Sequence, residues 1–408
     1  MTQAENALVS DIGGTTTDVA LLRNGRPAID PAGAQVGPFR TMVEAVAMRT
    51  TGLGGDSEVH FIAEGLKGGV TLGPRRVLPI SLVAHEASEI VNDELDAQLR
   101  SVLPGEYDGR FVRRVRGVDA GGLSDRDDAL YQRITETIQP LSAVMKNRID
   151  TQCLTRLVAR GIVQVAGLTP SDASHVLGSV SVWDRDAAEK ALLLFGRRRT
   201  GAGEILSGDA HELAQMIKDR LTYQTSLALL ETAFAEEGDF GLPPEQLAQH
   251  VLMQRGLAGH KGIVRIDTGL NIPVIGLGAS APNYYPAVGD TLGCDMILPE
   301  HAGVANAIGA VVGRITMRAS GTVTSPSEGK YRVHLVDGPE DFNTEDKALE
   351  TLEAVLRDQA YSEAEAAGAE DIQITISKDI RKAHAEAREV FVEGTITVEA
   401  TGRPRIAH

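Results

Sequence analysis

Two apolar stretches, Ala7-Leu8-Val9-Ser10 and Val19-Ala20-Leu21-Leu22, enclose the polar run Asp11-Ile12-Gly13-Gly14-Thr15-Thr16-Thr17-Asp18. Short apolar runs bounded by glycines and small polar residues predict strand, tight turn, strand. Residues 36–50 are expected to hold a helix, and Gly52 to Ser57 forms a second glycine-rich turn before the apolar run 59–62. From 85 to 103 the apolar spacing is helical, and it is helical again over 125–145, 150–160, 184–199 and 209–236. Residues 104–125, rich in Gly, Arg and Asp, read as a loop or an inserted hairpin. Thr169-Pro170-Ser171-Asp172 has the form of a helix start, with Thr169 as cap, Pro170 as first helical residue and Asp172 as reciprocal partner.

Strand character returns at 272–275 and runs into the turn Gly276-Leu277-Gly278-Ala279-Ser280. A helix is expected near 283–292, a strand at 295–298 and an Ala/Gly-rich helix at 303–315. Residues 320–329 read as a Ser/Thr/Gly linker. Residues 330–408 read as strand, helix (344–367), strand, strand, a small α+β domain. The pattern divides the chain into 1–83 with the hairpin, a mostly helical 84–260, a strand-turn-helix part 261–319 and the α+β domain 330–408.

At 408 residues the chain is long enough for two or three domains. A formal charge of −16 argues against a nucleic-acid surface. Cys153 and Cys294, the two cysteines, are too far apart in sequence to suggest a disulfide framework or a zinc cluster. No apolar run approaches the roughly 18 residues of a membrane span, and the cytoplasm is the expected compartment.

The hairpin carries the chemistry. Gly13 and Gly14 permit a sharp bend and close approach to the main chain, and a run of exposed amides makes an anion-binding concavity. Asp11 and Asp18 flank it. A carboxylate beside a phosphate calls for a divalent cation between them, and Mg²⁺ is the usual one. The motif is not a P-loop, since no Gly-Lys-Ser/Thr follows. It is not a dinucleotide fingerprint either, since a strand follows where a helix should begin. Glycines at 276 and 278, after a strand and before a helix, would let a nucleoside sit against bare backbone at a positive helix end. Asp56, in the second glycine-rich turn, could be a metal ligand, a substrate anchor or a turn former. His60, His85, His175 and His301 have no metal-ligand spacing and read as structural, with His301 the nearest to the Gly276 turn.

The hairpin resembles the phosphate hairpin of the actin, sugar-kinase and heat-shock-ATPase superfamily, and within it the second phosphate motif of the hydantoinase A/5-oxoprolinase family. Gly52 to Ser57, Gly73-Pro74-Arg75-Arg76, Gly167 to Gly178, Gly276 to Pro282 and Leu292 to Pro299 follow in the family's order, so the resemblance runs over nearly the whole chain. Asp56 departs from it, standing where the family commonly has glycine. The resemblance implies an α/β, actin-like ATPase (ribonuclease H-like) fold with a helical middle region and a small C-terminal α+β domain. It implies ATP-dependent opening of a cyclic amide such as a hydantoin or 5-oxoproline. The alternatives are a ketone carboxylase subunit and a non-enzymatic ATP-binding partner or reactivase module. ATP and Mg²⁺ are the implied cofactors. Asp11 is the implied metal ligand, Asp18 its support or a water-orienting group, and Gly13, Gly14, Thr15 and Thr16 the phosphate contacts. Gly276, Gly278, Ala279 and Ser280 are the implied adenosine contacts. A second copy or a hydantoinase B-like subunit is the implied partner. One hairpin is present where the superfamily has two, so a first lobe is expected to be encoded separately or to have been lost. The hairpin and the Gly276 turn are expected on facing sides of one cleft.

Overall fold

The structure, a computed structural model, describes residues 4–30, 35–36, 39–40, 45–307, 315–327, 329–335, 338–385 and 388–405. The chain divides into two compact units, Met1–Gly303 and Val304–His408.

The first unit is built on a mixed sheet. Strand β1 (Ala7–Ile12) and β2 (Thr17–Arg23) form the expected antiparallel hairpin, with Asp11 directly opposite Asp18. On its other side β1 pairs in parallel with the strand Val274–Leu277, which in turn pairs in parallel with Met296–Ile297. On the outer side of β2 lie Arg26–Pro27 and β3 (Met48–Thr51). Inner positions Leu8, Ile12, Val19 and Leu21 are buried, the period-two alternation of a sheet face.

Helices cover this sheet. The helices Ile80–Glu86, α1 (Pro170–Val176), Arg185–Gly196 and α2 (Ala210–Glu237) bring Ile80, Ala173, Leu192, Leu221 and Leu229 into the same core as the hairpin strands. The capping box of α1 forms as its sequence directs: the Asp172 backbone N donates to Thr169 Oγ1, and the Thr169 backbone N donates to Asp172 Oδ2. Asp172 is wholly buried and also accepts from the Ile80 and Ser81 amides and the Ser81 hydroxyl. One carboxylate therefore satisfies amides at the starts of two helices.

Three sequence expectations are corrected. Within 36–50, short strands replace the expected helix, with 37–38 and 41–44 outside the described residues. Met48–Thr51 alternates exposed and half-buried residues and is held by pairing with β2, which local spacing could not show. The 104–125 region contributes a strand, Phe111–Arg114, to a separate sheet with Leu78–Pro79, Val163–Gly167 and Gln139–Pro140. That small sheet and the helices Asp125–Tyr131 and Ile149–Ala159 close over their own cluster of buried apolar residues, Val112, Leu130, Ile134 and Leu157 among them. The supposed linker 320–329 is largely strand, in Ile315–Ser327. Its threonines and Val323 are β-branched, so composition read as flexible is in fact strand-forming. Of the expected helix 303–315, residues 308–314 lie outside the described residues.

Between Val274–Leu277 and Met296–Ile297 runs α3 (Ala281–Leu292), which carries the fully buried Tyr285.

The second unit is a five-stranded antiparallel sheet in the order 338–342, 330–335, 315–327, 388–404, 369–385. The helix α4 (Glu345–Ala366) packs on one face through Leu349, Leu352, Leu356 and Ala360. No helix among the described residues is long and apolar enough to cross a membrane.

Candidate functional site

The turn of the hairpin rests on the second glycine-rich turn. The Gly55 amide donates to the Gly13 carbonyl at 3.0 Å and the Asp56 amide to the Gly14 carbonyl at 2.8 Å. A Cβ on Gly54 would fall 2.5 Å from the Gly13 oxygen and 2.7 Å from the Gly14 carbonyl carbon. Gly54 is thus the seat on which the hairpin lies, and only glycine fits there. The geometry fixes where the amides point. In a trans peptide the N–H lies opposite the C=O. With the Gly13 and Gly14 carbonyls turned into the seat, the Gly14 and Thr15 amides point away from it, where Thr15 is exposed. Two successive amides facing one way form the concavity that binds anions. The Gly13 amide, expected among the phosphate contacts, instead closes the bend by donating to the Thr16 carbonyl at 2.9 Å.

Asp11 and Asp18 occupy opposed positions on the antiparallel pair, so both project to one face beside the turn. Asp18 accepts from the Thr16 hydroxyl at 3.2 Å and the Thr50 hydroxyl at 2.5 Å. Thr50 was missed by sequence reasoning because its segment was expected to be helical.

The Gly278 turn arrives next to the hairpin. Parallel pairing sets Asp11 against Leu277, so Gly278 follows at the level of Ile12. Gly278 has φ +106°; a Cβ there would collide with the Ile12 carbonyl oxygen and come within 3.2 Å of Asp11 Oδ1. The two motifs therefore lie side by side on neighbouring strands of one sheet, rather than on facing sides of a cleft as expected. Gly278 donates its amide to the Ala302 carbonyl, and α3 begins three residues later with Ser280 at its N-cap. Ala279 is exposed, and Gly303 approaches its Cα so closely that a Cβ would meet it at 3.4 Å. A helix start, bare backbone and a carboxylate thus converge beside the hairpin turn.

Gly276 serves differently. It is buried, and a Cβ there would meet the Tyr285 ring at 2.6 Å and Leu298 at 2.8 Å. Its missing side chain makes room for Tyr285, whose hydroxyl donates to the Ser10 carbonyl at 2.9 Å and lies 2.7 Å from the Ser10 hydroxyl. Burial pushes the Tyr285 phenol far up, and the nearby Asp11 and Asp18 carboxylates push the same way.

Asp56 lies on the other flank. A Cβ on Gly14 would fall 2.6 Å from its Oδ2. That oxygen accepts from Arg76 Nη2 at 3.0 Å and Nε at 3.2 Å, and Oδ1 accepts from the Ser171 hydroxyl at 3.3 Å. Burial pushes the Asp56 carboxyl up, and Arg76 opposes it. Asp56 thus joins the hairpin to Arg76 and α1.

His60 lies 3.8 Å from Glu58 Oε2, and His301 adjoins Ala302, whose carbonyl takes the Gly278 amide. His175 is buried and stacked on Trp183 at 5.2 Å, with Nδ1 donating to the Ser171 carbonyl and Nε2 accepting from the Trp183 amide. His85 and His301 are exposed. Among the described residues no group of three or more His, Cys, Asp or Glu is placed to hold a metal by itself. An apolar hollow of about 600 Å³ opens at the far end of the sheet, against Leu8, Leu22, Phe234 and Ile272, away from the hairpin turn.

The family model described as hydantoinase/oxoprolinase matches residues 1–101. No curated protein sequence matches the chain significantly. A solved chain described as nucleotide-free acetone carboxylase, from work on the mechanism of ATP-dependent acetone carboxylation, is similar over 99% of this chain and 47% of that chain, at 15% identity and a TM-score of 0.47. The chain thus spans about half the length of that solved chain. Residues 1–101, with the hairpin, its glycine seat and Arg76, carry the sequence pattern of the hydantoinase/oxoprolinase family.

Proposed function

We propose that the hairpin and the Gly278 turn bind MgATP, and that the chain takes part in ATP-dependent hydrolysis of a cyclic amide of hydantoin or 5-oxoproline type. The observation that carries this reading is the parallel pairing of β1 with Val274–Leu277, which sets the outward Gly14 and Thr15 amides, the Asp11 carboxylate and the start of α3 side by side.

The residues fit the nucleotide and its metal. Two carboxylates directly opposed on a strand pair repel each other, and a divalent cation beside them relieves that repulsion. Mg²⁺ commonly takes one or two protein carboxylates and fills its octahedron with water and phosphate oxygens. Asp11 would hold it, mostly through water, and Asp18, steadied by Thr16 and Thr50, would support it or orient water. The Gly14 and Thr15 amides and the Thr15 hydroxyl would hold phosphate oxygens, the Thr16 hydroxyl being given to Asp18. The turn Gly278-Ala279-Ser280, exposed at Ala279, would face the nucleoside, with Gly276 acting through Tyr285 packing.

A lactam resists water because its nitrogen donates into the carbonyl. When bound, MgATP supplies a phosphoryl group for the amide oxygen, which makes the ring carbon electrophilic. The chain's part is positioning and charge neutralisation, which dominate phosphoryl transfer. A second subunit of hydantoinase B type, or a second copy, is the partner we expect to complete the activity.

Titration calorimetry tests the site. Wild type is expected to bind ATP in a Mg²⁺-dependent manner, and Asp11→Ala to lose at least about tenfold, the equivalent of ~1.4 kcal/mol, with its circular dichroism spectrum unchanged. Equal affinity in both proteins removes Asp11 from the site. Phosphate release on adding hydantoin or 5-oxoproline, with the partner present, tests the reaction.

A further inference from the structure

A pocket of about 300 Å³ has in its lining Arg76, the residue that holds Asp56. Arg75, Arg76 and Arg110 line it together with apolar side chains that include Leu141, Met145 and Leu154. The charges around it do not balance. Three guanidinium groups are met by two carboxylates, Asp56 and Glu58. This positive excess stands in a chain whose formal charge is −16.

The hydrogen bonding is also incomplete. Arg110 gives Nη2 to Glu58 at 2.6 Å, but its Nε is buried with no acceptor. Arg75 reaches Glu58 only at 3.7 Å, an ionic rather than a hydrogen-bonding distance. Glu58, 5% exposed at its side chain, has one oxygen buried without a hydrogen bond, and that oxygen already holds Arg75 and His60 at 3.7 and 3.8 Å. A buried donor without an acceptor is costly, and Arg presents a planar fork suited to a carboxylate.

We propose that this pocket binds a small organic carboxylate with a compact aliphatic body, its carboxylate on Arg75 and Arg110 and its body against Leu141, Met145 and Leu154. Arg76 links the pocket to the phosphate turn, since it lines the one and holds Asp56, which touches Gly14. Binding there does not rest on the nucleotide reading above.

The test is titration of the full chain, without nucleotide, with 2-methylbutyrate, its uncharged amide and inorganic phosphate. The carboxylate is expected to bind at least about tenfold more tightly than the amide, the size of one charge-assisted hydrogen bond. Arg75→Gln and Arg110→Gln are each expected to lose about tenfold. Met145→Trp, which fills the pocket and leaves the arginines, is expected to abolish binding. Circular dichroism and the thermal midpoint confirm folding of each variant. No carboxylate binding, equal binding of the amide, or affinity unchanged in Met145→Trp overturns the proposal. Phosphate binding as tightly as the carboxylate overturns the choice of a carboxylate with an apolar body. Carboxylate binding in a chain that fails to bind MgATP upholds the pocket and sinks the nucleotide reading. MgATP binding with no carboxylate binding does the reverse.

Discussion

Single positions decide whether the two motifs can lie together. Gly278 sits at φ +106° against the Ile12 carbonyl, so Gly278→Ala adds both backbone strain and a collision. We expect a loss of more than about 1 kcal/mol in chemical denaturation, along with lost nucleotide binding. Away from the site, Asp127 accepts three hydrogen bonds from the Arg156 guanidinium, and these hold its carboxyl down to about 2. A carboxyl depressed in the folded state stabilises the fold above its unfolded pKa, and that contribution is lost as pH falls through the folded value. Wild type should therefore exceed Asp127→Asn in stability at neutral pH. The gap should narrow as pH drops from about 4 to about 2, as urea titrations across that range would show. A gap that stays constant over the range would mean the ion pair contributes nothing.

At the scale of elements, the carboxylate of Asp172 is the junction. It accepts amides and hydroxyls at the starts of Ile80–Glu86 and α1. Asp172→Ala leaves these donors buried and unpaired, and we expect about 3 kcal/mol of lost stability, read from denaturant midpoints. Half of this junction was legible in the sequence: Thr169-Pro170-Ser171-Asp172 spells out its own capping box. The reach to Ile80 and Ser81 was not, because it joins segments some ninety residues apart. The same division holds at the site. The hairpin could be read from Gly13, Gly14 and the flanking aspartates, because a tight turn is dictated by its own residues. Its seat on Gly54, the Thr50 bond to Asp18 and the Tyr285 ring over Gly276 depend on which strands become neighbours. The run 320–329 misled for a different reason, since Ser, Thr and Gly suit a linker or a strand, and only pairing with 388–404 decides between them.

The molecule has two units with separate cores. Leu352 is 1% exposed in the second and packs on the bare Cα of Gly321. Leu352→Ala should cost about 2–5 kcal/mol and lower one of two calorimetric transitions, leaving the other in place; a uniform shift of a single transition would show that the units unfold together. Within the first unit, the double cap at Asp172 also bears on the pocket. It fastens Ile80 and Ser81 to α1, and so pins both ends of the excursion that carries Arg110, Leu141, Met145 and Leu154. That excursion carries its own sheet, helices and buried cluster, so its fixed ends let it pack as a unit on a set footing. Exchange of single residues within that cluster can therefore reshape the arginine-rimmed pocket while both anchored ends, and the hairpin they support, keep their place.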